Sequence, residues 1–153
     1  MDIIEQLRQE HDELAYMMDE LLNLEGGART SHDYLSSFQL IIAHEGAKAE
    51  ALYELILPNP KLGEAAEKGR QEQRGIREAI ERLNAISPDN ERWDDDLTEM
   101  RRRLVEHFRT EEESIFPRLG EVLAPPDLAE VGETYLLAYR SMERPPSRVL
   151  DRM

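Results

Sequence analysis

Hydrophobic residues recur along the chain at alternating steps of three and four positions, the spacing of one face of an α-helix. Four stretches carry this pattern, at about residues 2–25, 32–57, 62–86 and 87–117. The breaks between them are short and rich in residues that end or begin helices, namely Gly26-Gly27, Thr30 or Ser31, Pro58-Asn59-Pro60 and Ser87-Pro88. We expect the fourth helix to begin at Ser87-Pro88 and to kink or end near Pro117. No comparable stretch alternates as a β-strand does, so the pattern predicts an all-α protein.

Helices joined by short breaks run antiparallel to their neighbours. The sequence therefore predicts an up-down-up-down four-helix bundle over residues 1–121. A short fifth helix is expected after Pro125-Pro126, followed by a proline-rich tail, so that residues 122–153 form a C-terminal addition to the bundle. The apolar stripe of this fifth helix can pack on the bundle or form a homodimer, and we favour packing on the bundle.

Charge and cysteine content narrow the choice of partners. The 153 residues include 19 basic and 33 acidic side chains, a net charge of −14, which disfavours nucleic acid and anionic membranes as partners. The lack of cysteine excludes disulfides, thiolate metal ligands and cysteine nucleophiles. No apolar run approaches the roughly 20 residues that span a bilayer, and the N-terminal segment lacks the pattern of a signal peptide. We therefore expect a cytoplasmic protein, with a second copy or an unknown protein as its possible macromolecular partner.

Polar residues interrupt the apolar faces near the middle of all four helices. They are His11 in the first helix, His44 and Lys48 in the second, Gln73 in the third, and His107 and Glu111 in the fourth. In an antiparallel bundle these positions fall at about one level, where an unpaired buried polar group costs about 1–3 kcal/mol. The six side chains must therefore satisfy one another, a metal ion or trapped water.

A metal site is the most specific of these possibilities. His107 and Glu111 are four residues apart, so both side chains can reach one point. Metal sites in bundle cores are built from inward-facing histidines and carboxylates on facing helices. One such histidine is more often a hydrogen-bonded core residue, but three histidines from three helices at one level favour a metal site, either present or ancestral.

The residues beside these six are expected to play lesser roles. Six carboxylates flank the polar positions and point away from the core, which is typical of surface charge: Glu10, Asp12, Glu45, Glu50, Glu72 and Glu112. We expect about one in five of them to support a metal ligand. Four aromatic residues are interpreted as packing residues: Trp93, Tyr53, Phe108 and Phe116.

Three features of the chain together match a known pattern. The first is a single histidine in the first helix, and the second is His44 followed by the aromatic residue of Leu52-Tyr53. The third and most specific is the segment LVEHFRTEEESIFP from Leu104 to Pro117. Over most of its length the chain thus resembles the hemerythrin-like (HHE cation-binding) family.

This resemblance implies a helical bundle around two irons, held by histidines of all four helices and by two bridging carboxylates. It places four residues at ligand positions: His11, His44, His107 and Glu111. Lys48 stands where the family has its other bridging carboxylate, and Gln73 stands where the third helix supplies a histidine. Arg77 replaces a further histidine that some members carry. Because lysine carries a positive charge and ligates a metal only when deprotonated, we do not expect a standard di-iron centre.

Lys48 and Glu111 are expected to face each other across the bundle. Our hypothesis is that a buried Lys48–Glu111 pair, bonded also by Gln73 and the histidines, replaces the charge of the metal with an ammonium group. Removal of one partner from a buried ion pair costs about 3–5 kcal/mol, so this pair would hold the core together.

The sequence leaves three interpretations of function. The favoured one is a non-catalytic module without a cofactor, acting as a sensor, a regulator or an interaction domain. The alternative is a protein that binds one iron, zinc or manganese ion, through His11, His44 and Glu111 or through His107 and Glu111. The resemblance implies that such an ion would take dioxygen, nitric oxide or peroxide. The third is a metal-free acid–base enzyme that uses the buried titratable groups, but no sequence signal of a substrate site accompanies them, so we do not expect an enzyme.

Overall fold

The computed structural model describes residues 2–24 and 34–143 in full, together with the backbone of residues 31–33. Helices make up most of this part of the chain, which contains no β-strand. The prediction of an all-α bundle with an additional C-terminal helix is confirmed. The predicted helix stop at Gly26-Gly27, the cap at Thr30 or Ser31 and the proline-rich tail after Glu143 lie outside the residues whose side chains are described.

The first three helices match the predicted stretches closely. Helix α1 spans Ile3–Asn23, helix α2 spans Ser31–Lys48, and helix α3 spans Gly63–Asn84. Helix α2 does not stop at Lys48 but continues through a π-helical turn, Ala49–Tyr53, and a last α-helical turn, Glu54–Ile56.

The fourth and fifth helices complete the molecule. Helix α4 spans Trp93–Thr110 and also runs on, through a π-helical turn at Glu111–Ile115. A 3₁₀ turn at Phe116–Arg118 then contains Pro117, so the predicted break at this proline is confirmed, and a short helical turn follows at Leu119–Val122. Helix α5 spans Pro125–Met142 and begins with Pro125-Pro126, where the missing N–H groups are not needed.

Side-chain pairs between helices establish that α1 and α3 each run antiparallel to α4. Along α1, His11 contacts Glu112 and the later Asp19 contacts Arg101, so the partner position on α4 falls as the position on α1 rises. Helices α3 and α4 are related in the same way. Glu72 contacts His107, whereas the later Gly75 accepts a hydrogen bond from Arg103.

The predicted start of the fourth helix at Ser87-Pro88 is wrong, because these residues form turns. The Ser87 hydroxyl accepts from the backbone N–H of Asp89, and the Asn90 side chain accepts from the N–H of Arg92. Such side-chain bonds offer the backbone an alternative to the helical ladder. The helix begins instead at Trp93, followed by three aspartates whose charge suits a helix N-terminus.

The two π-helical turns lie at the middle of the bundle and change which side chains face inward. In a π-helical turn the backbone N–H bonds five residues back, as Glu54 does to Ala49 and Phe116 does to Glu111. In a regular α-helix Leu55 would share the inner face with Leu52, three residues before it, but Leu55 is 51% exposed, whereas Ile56 is buried. The wider turn shifts the inward face by one residue after Leu52.

The core consists of two apolar clusters. One surrounds Leu7, Leu52 and Phe116, and the other surrounds Leu14, Ile41 and Leu104. His11 lies between Leu7 and Leu14 along α1, so the polar residues form a layer between the two clusters. Helix α5 packs against α2, its π-helical turn and α1, as expected. Within the described residues, no helix is both long and apolar enough to cross a membrane.

Candidate functional site

The structure brings the six polar residues predicted from the sequence into one layer. Five of them are buried to within 2% of full burial: His11, His44, Lys48, His107 and Glu111. Gln73 is half-buried at the edge of the same layer. We call these six residues, together with Glu45, the polar cluster.

Lys48 lies between two carboxylates. Its ammonium nitrogen Nζ is 2.6 Å from Glu111 Oε1 and 2.8 Å from Glu45 Oε2. The same nitrogen is 5.1 Å from the centroid of the Phe108 ring, within the range of a cation–π contact. The predicted pairing of Lys48 with Glu111 is thus present in the structure, with Glu45 as an additional partner.

The interpretation of Glu45 as surface charge is wrong. Glu45 is only 8% exposed, and its Oε1 atom is 2.7 Å from His107 Nε2. It also binds Lys48, so this carboxylate joins two cationic side chains from different helices. The sequence carried one signal for this role: Glu45 is three residues before Lys48, so the two side chains can pair on the same side of the helix.

Both ring nitrogens of His107 contact carboxylates. Nδ1 is 2.9 Å from Glu72 Oε1, and Nε2 is 2.7 Å from Glu45 Oε1 and 3.3 Å from Glu111 Oε2. An ionised carboxylate only accepts hydrogen bonds, so each ring nitrogen of His107 must carry a proton. His107 is therefore an imidazolium cation in this arrangement.

His11 and His44 are held differently, each through one ring nitrogen. His11 Nδ1 is 2.9 Å from Glu112 Oε2, and His44 Nδ1 is 3.0 Å from Glu10 Oε1. Among the described residues, neither Nε2 atom has a hydrogen-bond partner, although His11 Nε2 lies 3.2 Å from Glu111 Oε1. A carboxylate on Nδ1 orients the imidazole ring, as it does in histidines that ligate metals.

Three more flanking carboxylates therefore do not act as simple surface charge. Glu10, Glu72 and Glu112 each bind a histidine of another helix, whereas Asp12 and Glu50 are exposed as predicted. Each of these three side chains reaches across a helix interface to its histidine instead of pointing into solvent. The position of a residue on its own helix does not indicate such a contact.

Two tyrosines also belong to the site. The Tyr53 hydroxyl donates to Glu111 Oε2 at 2.6 Å, so its interpretation as a packing residue alone is wrong. Tyr135 of α5 donates to Glu10 and lies 3.0 Å from His44 Nδ1. Tyr135 lies on the apolar stripe of α5, a position that gives no sign of the contacts of its hydroxyl.

The other aromatic residues are packing residues, as predicted. Trp93 and Phe116 are buried, and Phe108 stacks on the ring of His11 at a centroid distance of 3.8 Å and an angle of 4°. The stacked ring fixes the plane of the imidazole.

Gln73 does not bond to the Lys48–Glu111 pair as we had hypothesised. Its Nε2 donates to Glu45 Oε1 and to the Glu45 backbone carbonyl, both at 3.0 Å, and its Oε1 accepts from Arg70. Gln73 is too far toward the edge of the layer to reach the pair, and it acts on it only through Glu45.

The electrostatics of the polar cluster favour a balanced set of charges. Burial alone would lower the pKa of Lys48, but the Glu111 and Glu45 carboxylates outweigh it and raise that pKa. Burial opposes ionisation of both carboxylates, yet Lys48 and His107 hold the pKa of each well below its usual range. The same carboxylates hold the pKa of His107 well above its usual value despite burial. Two cations thus balance two anions.

The comparisons with known proteins agree with this architecture, a helical bundle with histidines and carboxylates at its centre. The model of the hemerythrin HHE cation-binding domain matches residues 2–119, and the chain belongs to this family. No curated protein and no solved structure matched the chain.

The residues do not fit the two irons that the family pattern implies. Lys48 stands at the position of one of the two bridging carboxylates, and its ammonium nitrogen Nζ lies in contact with Glu45 and with Glu111, the other bridging position. One smaller donor set remains: ligand atoms of Glu45, His107 and Glu111 lie within 4.8 Å of one another. That set could hold a single cation only if Lys48 and the proton on His107 Nε2 were displaced.

Proposed function

We propose that this protein is a non-catalytic hemerythrin-like module in which the Lys48 ammonium takes the place of the metal charge. Its role would be that of a sensor, regulator or interaction domain rather than an enzyme. The observation that carries the proposal is the position of Lys48 Nζ, 2.6 Å from Glu111 and 2.8 Å from Glu45.

Charge balance supports the proposal. With Lys48 and His107 protonated and Glu45 and Glu111 ionised, the buried centre carries no net charge. A divalent cation placed among the same four groups would meet the ammonium at close range, where the repulsion is weakly screened. The protein can therefore keep its central layer satisfied without a metal.

The first test is metal content. The protein is expressed with added iron, purified without chelator or immobilised metal, and measured by elemental analysis. We expect far less than one metal ion per chain, no iron–histidine absorption, and a melting temperature that EDTA leaves unchanged. Two irons per chain would overturn the proposal.

A more specific test replaces Lys48, the residue proposed to stand in for the metal charge. Lys48→Glu restores the carboxylate of the family pattern, and we expect it to destabilise the metal-free protein and to increase affinity for Fe²⁺ or Zn²⁺. Lys61→Glu makes the same charge change at an exposed position and should do neither. If Lys48→Glu behaves like Lys61→Glu, Lys48 does not stand in for a cation.

A specific observation favours one second candidate, a site for a single iron, zinc or manganese ion. The Nδ1 atoms of His11 and His44 are held by carboxylates, and their buried Nε2 atoms have no hydrogen-bond partner in the described part of the chain. Imidazole and carboxylate suit these three metals. One ion per chain that is lost in His11→Ala would establish this candidate, and binding of dioxygen or nitric oxide would then be measured.

A further inference from the structure

A cleft between α2 and α3 opens beside the polar cluster. Its volume is about 260 Å³. Pockets that take drug-sized ligands usually measure about 300–1,000 Å³, so this one suits a smaller molecule. Glu45 and Gln73 of the polar cluster lie at its inner end, but the proposed function does not require any molecule to bind there.

The floor of the cleft is aliphatic. Four isoleucines line it: Ile41 and Ile42 from α2, and Ile76 and Ile80 from α3. Ile42 is 42% exposed, whereas the other three isoleucines are at most 3% exposed. Ile42 therefore supplies most of the apolar area that a ligand segment could cover, at a gain of about 25 cal/mol for each Å² removed from water.

The rim of the cleft is cationic. Arg70, Arg74 and Arg77 follow one another along α3 at steps of four and three, so the three guanidinium groups lie on one face of the helix. Like charges at this spacing destabilise a helix, and here they occur in a chain of net charge −14. A concentration of positive charge at this one place is what an anionic ligand would require.

Most of this positive charge is not used within the protein. Arg74 has one long, exposed contact with Glu67 at 3.7 Å, the kind of pair that contributes little. Among the described residues, Arg70 donates only to the neutral amide of Gln73, and Arg77 forms no ion pair. The Glu45 carboxylate at the inner end is already neutralised by Lys48 and His107. The guanidinium groups therefore remain available to a carboxylate.

We propose that this cleft is a binding site for a small aliphatic monocarboxylate, with the carboxylate at the arginine rim and the chain on the isoleucine floor. Guanidinium groups recognise carboxylates through paired hydrogen bonds, and the apolar floor selects against ligands that are anionic throughout. This inference goes beyond the proposed function and is independent of whether the polar cluster holds a metal.

The test uses hexanoate as the probe, with the full chain labelled at isoleucine methyl groups for NMR. We expect saturable shifts at Ile42 and Ile76, with a Kd on the order of 1 mM. Ile3 and Ile115, which are buried elsewhere in the core, should not move. Hexanol keeps the chain without the charge, and acetate keeps the charge without the chain, so both should bind at least tenfold more weakly.

Variants locate the anion. Arg74→Gln and Arg77→Gln should each weaken hexanoate binding about two- to fivefold, as exposed charge contacts do. The triple change of Arg70, Arg74 and Arg77 to glutamine should abolish it. Arg92→Gln removes the same charge at an exposed position outside the cleft and should leave the Kd unchanged. Absence of saturable shifts, or hexanol binding as tightly as hexanoate, would overturn the proposal.

Discussion

Lys48 is 0% exposed, and a buried ammonium group needs partners that replace its hydration. Its partners are two carboxylates and an aromatic ring. Removal of a charge from water is costly, and the cost is recovered only when the partners lie close and in good geometry. At the scale of the single residue, the contributions of Lys48, Glu45 and Glu111 to the free energy of unfolding therefore depend on one another.

We therefore expect Lys48→Met to destabilise the protein by about 3–5 kcal/mol, because two buried carboxylates would lose their cation. Methionine keeps most of the side-chain volume, so the loss of stability measures the effect of removing the charge rather than of creating a cavity. Urea unfolding monitored by circular dichroism measures it, and Lys61→Met is the matched control. The double variant Lys48→Met/Glu111→Gln should recover part of the loss; if both single changes simply add, the two side chains are not coupled.

The two histidines His44 and His107 should titrate on opposite sides of the usual value in the metal-free protein. Burial and the nearby Lys48 charge lower the pKa of His44 from 6.5 to about 4. Glu111 and Glu45 overcome burial at His107 and hold its pKa well above 6.5. We expect NMR of the imidazole signals to detect a neutral His44 and a charged His107 at pH 6.5.

The sign of the stability change differs between these two histidines. The pKa of His44 is lower in the folded protein than in the unfolded chain. Its contribution to stability is therefore present above pH 6.5 and is lost as the pH falls from 6.5 toward about 4. The pKa of His107 is higher in the folded protein than in the unfolded chain. Its contribution to stability is therefore complete below pH 6.5 and is lost as the pH rises through the elevated pKa. If both imidazoles titrate together near pH 6.5, the described pattern of carboxylate contacts does not exist in solution.

At the scale of the helix, the π-helical turns are what bring the paired side chains together. One begins directly after Lys48 and the other begins at Glu111. The first turn places the Tyr53 hydroxyl on Glu111. Each such turn costs regular hydrogen bonding, and π-helical turns recur at functional sites in proteins.

Helix α3 has to approach Tyr53 closely for this arrangement, and Gly69 permits it. A Cβ atom at Gly69 would lie 2.7 Å from Tyr53 Cε1 and 2.8 Å from Cζ, closer than a real contact allows. Gly69→Ala should therefore displace the ring from Glu111 and destabilise the protein by about 1–3 kcal/mol, measured by thermal or urea unfolding.

Gly120 is the matched control for this prediction. A Cβ atom there would meet nothing within 4 Å, so Gly120→Ala should leave stability unchanged or raise it by up to about 1 kcal/mol. Equal stability of the two variants would mean that Tyr53 is not held against Glu111.

At the scale of the whole molecule, hydrophobic spacing predicted the order of the described helices but not the start of the fourth. The polar residues that interrupt the apolar faces predicted where along the bundle the polar layer lies. Spacing along one helix could not predict Leu55 on the outside, because a π-helical turn changes the number of residues per turn. It also could not assign Glu10 or Glu112, since each bonds to a histidine on another helix, and such contacts depend on the separation and rotation of both helices. The family resemblance implied four ligand positions, which stay a prediction, and it did not include Glu45, which contacts Lys48 and His107 at the centre of the bundle.

Two kinds of electrostatic interaction in the molecule, those between surface charges and those of the buried ion pair, should respond differently to salt. The surface carries most of the net charge of −14, whose self-repulsion opposes the compact state and is screened by salt. Lys48 and Glu111 are fully buried, where salt screens little. We therefore expect wild-type protein to become more stable in urea unfolding as NaCl is increased, while the difference between wild type and Lys48→Met stays constant within about 0.5 kcal/mol. A difference that shrinks with salt would place Lys48 in contact with solvent, and the ammonium could then not serve as the buried cation of the bundle.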